Sequence, residues 1–563
     1  MPSVRRAPAE TLVQQLERIV DRLEPGERPH IRLDRPRTRQ HGDFTTNLAL
    51  VLAGPLSRQP RELASWIIDQ LDLEVAGFAA ADVAGPGFIN FRLATESLHD
   101  RLEAILRAGD AWGRAARPSG RRVQVEFVSA NPTGPLHVAH GRGAALGDAI
   151  ASLLEWTGDD VTREFYINDA GAQIDKLAES LEARWLDLGG QMAAVPEGGY
   201  HGEYMRDLAR RVEAEMGVAL RATDRDQRLR MLRERAVQLL REEQERDLRE
   251  FRVHFDVFFE ESRLYREGQA DQTLRELSER HLTYEADGAV WLRSSDFGDD
   301  KDHVLVKRDG SYTYLVPDVA YHRNKNERGF DHVIDVWGAD HHGYVPRMQA
   351  ALSALGLDGF LDVEIVQMVR IVRGGKDVRL SKRAGEFVTL RELFEEFGVD
   401  VARYFFLMRR SDAQMLFDLD LALDHTEKNP VFKVQYAHAR MMSIFRKAGI
   451  RPDEIQPGPE LSLLEHESER ELANQLAHFP DVVTKAASAR APHMVCEYLE
   501  TTAGLINSWY HAGNPSRNPE LAVLVPDQAL RAARLMLARA IQITLRNGLN
   551  LLSLNAPDRM ERE

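Results

Sequence analysis

Apolar positions recur at helical spacing over residues 10–23, where they alternate with Gln, Glu and Arg, and again near 62–71. Between 83 and 93 the pattern changes to Val-Ala-Gly-Pro-Gly-Phe-Ile-Asn-Phe-Arg-Leu, a turn leading into a strand. Residues 1–116 are therefore expected to form an α+β module, and Arg117-Pro118-Ser119-Gly120 a linker. From 117 to 410 short β-rich runs alternate with helical stretches. The runs lie at 122–129, 161–167, 303–306, 333–337 and 363–369, and a helix is expected over 137–156. That alternation predicts an α/β, doubly wound parallel sheet of Rossmann-like type. An Arg/Glu-rich stretch at about 176–254 interrupts it and reads as helices packed on or beside the sheet. Over 411–563 the spacing is helical again, at 431–445, 471–487, 494–512 and 528–552, which predicts an all-α bundle.

Composition narrows the classes without choosing among them. Hydrophobic residues make up 43% and charged residues 29% of the 563 positions, proportions of a globular chain with a sizeable core. Cys496 is the single cysteine, so an intrachain disulfide is impossible and a thiolate zinc site nearly so. The start of the chain lacks the unbroken apolar stretch of a signal peptide, and no run is long enough to cross a membrane, so a cytoplasmic location is expected. A formal charge of −15 opposes indiscriminate coating of nucleic acid. Local basic faces still leave room for an RNA partner.

Chemistry concentrates in Ser129-Ala-Asn-Pro-Thr-Gly-Pro-Leu-His137-Val-Ala-His140-Gly141-Arg-Gly143. A strand delivers the chain to a tight turn, and a helix begins at the histidines. Helix N-termini present unpaired N–H groups and partial positive charge, which suits phosphate. His137 and His140, three residues apart, share one face of the first turn and can donate to a phosphate gaining charge. Gly134 lies in that turn; Gly141 and Gly143 would let a flat base approach the backbone. The same two histidines are also compatible with a zinc pair or a simple helix cap. The zinc reading lacks a His-Glu-x-x-His pattern or a cysteine set. The spacing Gly141-x-Gly143-x-x-x-Gly147 also departs by one residue from the dinucleotide fingerprint. Far downstream, Val378-Arg379-Leu380-Ser381-Lys382-Arg383-Ala384-Gly385 forms a basic loop in which Lys382 could neutralise a departing pyrophosphate.

His137-Val-Ala-His140-Gly resembles the HIGH signature, and Arg379-Leu-Ser381-Lys382 the KMSK signature, of class I aminoacyl-tRNA synthetases. The longer runs Ala-Asn-Pro-Thr-Gly-Pro-Leu-His, Phe165-Tyr-Ile-Asn-Asp-Ala-Gly, Tyr314-Leu-Val-Pro-Asp318, Trp337-Gly-Ala-Asp-His-His-Gly and Ser381-Lys-Arg-Ala-Gly resemble arginyl-tRNA synthetases in particular. The resemblance runs nearly end to end. Arg379 and Leu380 depart from it, standing where Lys and Met are usual; Arg keeps the charge but is bulkier and forked.

The resemblance implies a class I catalytic domain that activates L-arginine with ATP and passes it to tRNA(Arg). ATP with Mg2+ would serve as substrate with no permanent metal, and the chain would be a monomer that binds tRNA before activation. Glu126, Tyr314 and Asp318 would hold the guanidinium, with Ser129 and Asn131 at the α-amino group and His137 alongside. Gly338, Asp340 and His342 would lie by the nucleotide or the amino acid. Phe88 and Asn90 of the N-terminal module would touch the outer corner of the tRNA. Gln435, Tyr436, His438 and Arg440 would reach the anticodon. The residues alone support part of this: a planar five-donor cation needs carboxylates around it, and Glu126 sits in an otherwise apolar strand, where an unpaired carboxylate is costly. Readings set beside it are a synthetase for another amino acid, a small-molecule adenylyltransferase, and a catalytically dead RNA-binding paralogue.

Overall fold

The computed structural model describes residues 8–34, 36, 41–169, 171–378, 389–514 and 516–560. Strands β1 (Phe44–Thr46), β2 (Phe78–Ala84) and β3 (Phe88–Leu93) form an antiparallel sheet in the order β1-β3-β2. Helices α1 (Pro8–Leu23), α2 (Leu48–Ala53) and α3 (Pro60–Asp69) belong to the same module. Phe44, Phe78 and Phe91 meet edge-on or tilted in its buried centre. A following helix, α4 (Thr95–Ala108), leads into the catalytic region. The turn before β1 is tied to the far end of the chain: Asp43 accepts from Leu93 N at 2.8 Å and from Asn474 Nδ2 at 2.7 Å.

Next come β4 (Arg122–Glu126), α5 (Val138–Trp156) and β5 (Asp160–Ile167). The insertion follows as α6 (Ala172–Leu188), α7 (Glu203–Ala222) and α8 (Arg225–Glu250), then β6 (Val257–Glu260), α9 (Glu261–Arg266) and α10 (Gln269–Glu279). A small antiparallel sheet is made by β7 (Thr283–Ala286), β8 (Ala289–Leu292) and β9 (His303–Val306). The chain continues through α11 (Leu315–Glu327), β10 (His332–Gly338), α12 (Val345–Ala354) and β11 (Leu361–Val366). Beyond it lie β12 (Val369–Arg373), α13 (Leu390–Phe397) and α14 (Val399–Leu407). The main sheet is parallel throughout, in the order β11-β10-β4-β5-β6.

The Rossmann-like class read from the pattern is what folds, with local corrections. The run 303–306 is a strand, but it pairs in the small antiparallel sheet. The run 363–369 spans the end of β11 and the start of β12, which belong to different sheets. The helical reading over 471–487 is two helices, Glu467–Ala477 and Phe479–Ser488, since Pro480 opens the second as an N-terminal proline and lacks the N–H to continue the first. Further helices at Pro430–Ala448, His493–Ala512 and Gln528–Leu551 complete the C-terminal region, with Cys496 buried among them. No helix among the described residues is long and apolar enough to cross a membrane.

The order of strands locates the site. From β4 the chain moves to β5 and β6 on one side, then returns to place β10 and β11 on the other. In such sheets ligands bind in the crevice beyond the C-terminal ends of the strands where direction reverses, here β4 and β10. Helix α5 is buried nearly all round, as its Ala and Leu content requires of a helix in the middle of a domain. It approaches the chain after β4 so closely that a Cβ on Gly147 would stand 2.2 Å from Phe127 Cγ. We therefore expect Gly147→Ala to destabilise the fold by about 1–3 kcal/mol through overpacking, outweighing the ~1 kcal/mol that Ala gains over Gly in a helix. A lower urea midpoint would show it, and an unchanged midpoint would contradict it.

Candidate active site

Alternation along β4 turns Val123 and Val125 to one face of the sheet and Gln124 and Glu126 to the other. Glu126 thereby meets α11, whose Asp318, His322 and Lys325 fall at i, i+4 and i+7 on one helical face. Past β4, Val128 and Ser129 adopt φ of 68° and 38°, a region that residues with a Cβ rarely occupy and that is costly for a β-branched side chain. The strained bend carries Ser129 back over the strand end. Its hydroxyl donates to Glu126 Oε1 at 2.9 Å and accepts from Tyr166 N at 3.1 Å, linking β4 to β5.

Under this bend lies a buried charge network. Lys325 Nζ, fully enclosed, donates to Glu126 Oε2 at 2.6 Å and to Asp335 Oδ1 at 2.9 Å. His322 places Nδ1 at 2.8 Å from the Asp318 carbonyl and Nε2 at 2.9 Å from Asp335 Oδ2. Burial alone would raise the Asp335 carboxyl, but Lys325 and His322 hold it down to about 2. On the neighbouring strand Arg328 grips Glu164 through two nitrogens, at 2.6 and 2.8 Å.

Three acids are not so well served. Burial pushes the carboxyls of Glu126, Asp318 and Glu261 above their ordinary range. Lys325 opposes the shift of Glu126, and Tyr344 OH, donating at 2.7 Å to Asp318 Oδ2, opposes that of Asp318. The charge of Asp318 adds to the shift of Glu261. No described Lys or Arg pairs with Asp318 or Glu261. Asp318 and Glu261 thus add negative charge beside the network without a Lys or Arg partner among the described residues, a setting that would suit a bound cation.

The histidines stand at the other side of the crevice. Their rings stack with centroids 3.8 Å apart, and His137 N donates to His140 Nδ1 at 3.3 Å. The stacked pair is thus also the cap of α5. Burial, aided by His137, lowers His140 to about 3, and burial lowers His137 too, so both rings are neutral at pH 7. With Nδ1 of His140 accepting from the backbone, its proton sits on Nε2 and that nitrogen is a donor. Leu390 N donates to Leu136 O at 2.8 Å, and His137 and Thr389 form an isolated bridge, so α13 begins against the histidine turn.

The structure places the other sequence-derived residues as follows. Gly338, Asp340 and His342 are exposed at the C-terminal end of β10, beside the end of β4. Asn131 is exposed, its Nδ2 donating to Gln173. Tyr314 is 81% exposed just ahead of α11. Gly143 has open space where a side chain would be, whereas the space at Gly141 is taken by Leu390 and that at Gly134 borders Tyr204. The missing side chain of Gly141 therefore serves helix packing and not the approach of a base. Arg379, Ser381 and Lys382 lie outside the described residues.

For the RNA-contact residues the correction is larger. Gln435 is buried and donates to Asp400 and the Asn555 carbonyl. His438 is enclosed between the Pro557 carbonyl and Gln542, and Arg440 lies buried against Asn507 between Tyr436 and Tyr510. These three brace the interior of the helical region and offer no surface for a base. Tyr436 is half-buried, stacked on Phe432. In β3, Phe88 is 38% exposed, but Asn90 faces the core at 2%. Sequence reading also missed Lys325, Asp335, His322, Tyr344 and Glu261. The first three had a signal: helical spacing from Asp318, and an acid in the apolar run His-Val-Ile-Asp-Val-Trp.

Family models divide the chain three ways. Residues 9–93 match the arginyl tRNA synthetase N terminal domain, 101–405 the class I (R) tRNA synthetase catalytic domain, and 434–560 the DALR anticodon binding domain. An arginine–tRNA ligase of Geobacillus thermodenitrificans is 47% identical over 537 residues, 95% of each chain. The chain belongs to the arginyl-tRNA synthetase family. Another arginine–tRNA ligase, from Desulforudis audaxviator, is 49% identical over 94% of each chain. The arginyl-tRNA synthetase structure of Thermus thermophilus superposes with a TM-score of 0.75 at 26% identity, covering 99% of this chain and all of that one. For a synthetase of this family, the Lys325 network is a scaffold for the acids. Lys325→Met would leave Glu126 and Asp335 buried without their cation, and we expect a loss of about 3–5 kcal/mol in denaturant unfolding; a loss below about 1 kcal/mol would show that the pairing is dispensable.

Proposed function

We propose a division of labour within this class I arginine–tRNA ligase. The observation that carries it is the pair of acids, half-buried Asp318 and buried Glu261, with no described Lys or Arg to neutralise them, at the reversal point of a parallel sheet. The substrate guanidinium supplies the missing charge. Asp318 accepts its N–H groups, Tyr314 covers it from the exposed side, and Glu126, with Ser129 and Lys325 each using one of its oxygens, retains lone pairs for it. A guanidinium presents its donors in a rigid plane and an ammonium does not, so acids on more than one side favour arginine over lysine. Ser129 and Asn131 hold the α-amino group.

ATP, accompanied by Mg2+, lies along the crevice from Gly134 and the histidine turn to Gly338, Asp340 and His342. A carboxylate oxygen of arginine attacks the α-phosphorus, forming an acyl–phosphate bond while the bond to pyrophosphate breaks. His137 and His140 donate to the phosphate oxygens as charge builds there. Ser381 and Lys382, with Arg379 in the usual lysine position, take the charge of the departing pyrophosphate; these roles rest on the family resemblance. A terminal ribose hydroxyl of tRNA(Arg) then attacks the carbonyl carbon, and AMP leaves. No covalent enzyme intermediate is needed.

The N-terminal module (1–116), with Phe88 on its surface, and the helical region (411–563), with the DALR match, flank the catalytic region (117–410) and serve tRNA. We also assign the enzyme to the cytoplasm as a monomer. Charging of tRNA with each of the twenty amino acids tests the reading as a whole: arginine alone should be accepted, and charging with another amino acid but not arginine would overturn it.

Two variants test the roles. Asp318→Asn should weaken arginine binding by about 10²-fold, a charge-assisted contact of about 1.5–3 kcal/mol being lost, and an unchanged Kd would refute it. Lys382→Ala should lower kcat at least tenfold while the arginine KM changes little, because its charge acts mainly in the transition state. An unchanged kcat would remove Lys382 from the mechanism.

A further inference from the structure

Helix α8 of the insertion is held in its own hydrophobic cluster by Leu232, Ala236, Leu239 and Leu240. Its last two turns carry different residues. Gln244 and Asp247, three apart and so on one face, are 3% and 1% exposed. Burying an amide and a carboxylate stabilises nothing unless both find partners, and the partners they find are at the active site.

The Gln244 amide donates from Nε2 to the carbonyls of Asn131 at 3.1 Å and Gly134 at 2.9 Å. Tyr204, on α7, donates its hydroxyl to the carbonyl between them, that of Thr133, at 2.8 Å. Three carbonyls of the turn that leads to His137 are thus fixed from the insertion. A turn rich in Pro and Gly, with few internal hydrogen bonds, has little else to define its shape. Asp247 accepts from Arg391 Nε at 2.9 Å and Nη2 at 2.6 Å, and Glu250 reinforces the pair with an ion pair to Arg391 at 2.9 Å. Arg391 is the second residue of α13, adjacent to Leu390, whose N–H is bonded to the carbonyl just before His137. One helix face therefore grips the histidine turn on both its flanks, directly through Gln244 and by way of α13 through Asp247.

We propose that Gln244 and Asp247 are positioning residues for adenylate formation, setting the height of the His137–His140 pair over the crevice. This rests on the role given above to those histidines. The insertion is then a brace for the phosphate end of the site, while the arginine end is braced from below by α11. Because displacement of a positioned group by about 1 Å can cost on the order of 10²-fold in rate, the two ends respond separately to damage.

The test is arginine-dependent exchange of pyrophosphate into ATP, with tRNA(Arg) present, on the full chain carrying Gln244→Met or Asp247→Asn. Arginine affinity is measured alongside by equilibrium binding. We expect kcat to fall about tenfold or more while the arginine Kd stays within about twofold. The exchanged pair Asp247→Arg with Arg391→Asp should regain at least about threefold over Asp247→Arg alone, as coupled residues do. Unchanged kcat in both single variants, an equal fall in kcat and arginine affinity, or no recovery in the exchanged pair would each overturn the proposal. His140→Ala separates this from the reading beneath it: if that variant exchanges pyrophosphate normally, the histidine role itself is wrong, whatever the brace variants do.

Discussion

Burial of carboxylates without enough fixed cations is the constraint on which the rest of the structure turns. Carboxylates of this kind persist only where surrounding packing is stable enough to enforce them. Here the enforcement comes from the middle of the parallel sheet. Lys325 neutralises Asp335 and steadies Glu126, with His322 in contact with the same Asp335 carboxylate, Arg328 neutralises Glu164, and the remaining acids, Asp318 and Glu261, are left in want of a positive group. The lysine is best understood as part of the wall. It fixes the direction of Glu126 and limits the local imbalance of charge, and in the proposed pocket the imbalance that remains would select the cation.

The histidine turn obeys a different logic. Its rings are neutral, and the proton on His140 Nε2 is placed there because the backbone N–H of His137 occupies the other nitrogen. Neutral donors at a helix N-terminus can take up developing phosphate charge without attracting anions so strongly that product is retained. The two halves of the crevice are supported by different parts of the chain, α11 below the acids and the insertion behind the histidines. Under the proposed roles, this separation would allow arginine recognition and phosphate chemistry to be altered independently.

Much of this was legible in the order of residues, and the gaps have physical causes. The alternation of strand and helix patterns pointed to the sheet, and an acid in the apolar run of β4 and paired histidines at a helix start marked the two ends of the crevice proposed as the site. What periodicity cannot supply is the partner of a strand: β9 reads like its parallel counterparts, and only the small sheet formed with β7 and β8 shows where it belongs. The same blindness to tertiary partners misplaced Gln435, His438 and Arg440. On a helix surface they would be apt for RNA, but the returning C-terminal segment at Asn555–Pro557 covers Gln435 and His438, and Asn507 engages Arg440. Lys325 was hidden for the reverse reason, since a lysine near a helix end is ordinarily solvated, and only the carboxylates of β4 and β10 explain its burial.

If uncompensated acids define the arginine pocket, then filling it must change their protonation. Carboxyls raised by burial hold protons to higher pH in the free enzyme; a bound guanidinium stabilises their charged form and lowers them again, so binding releases protons. Calorimetric titration of arginine into the enzyme, repeated in buffers of different ionisation enthalpy, measures that release directly. The account predicts net proton release that grows as the pH is lowered from neutrality toward the carboxylate range. Arginine binding with no proton exchange across that range, or with proton uptake, would contradict it.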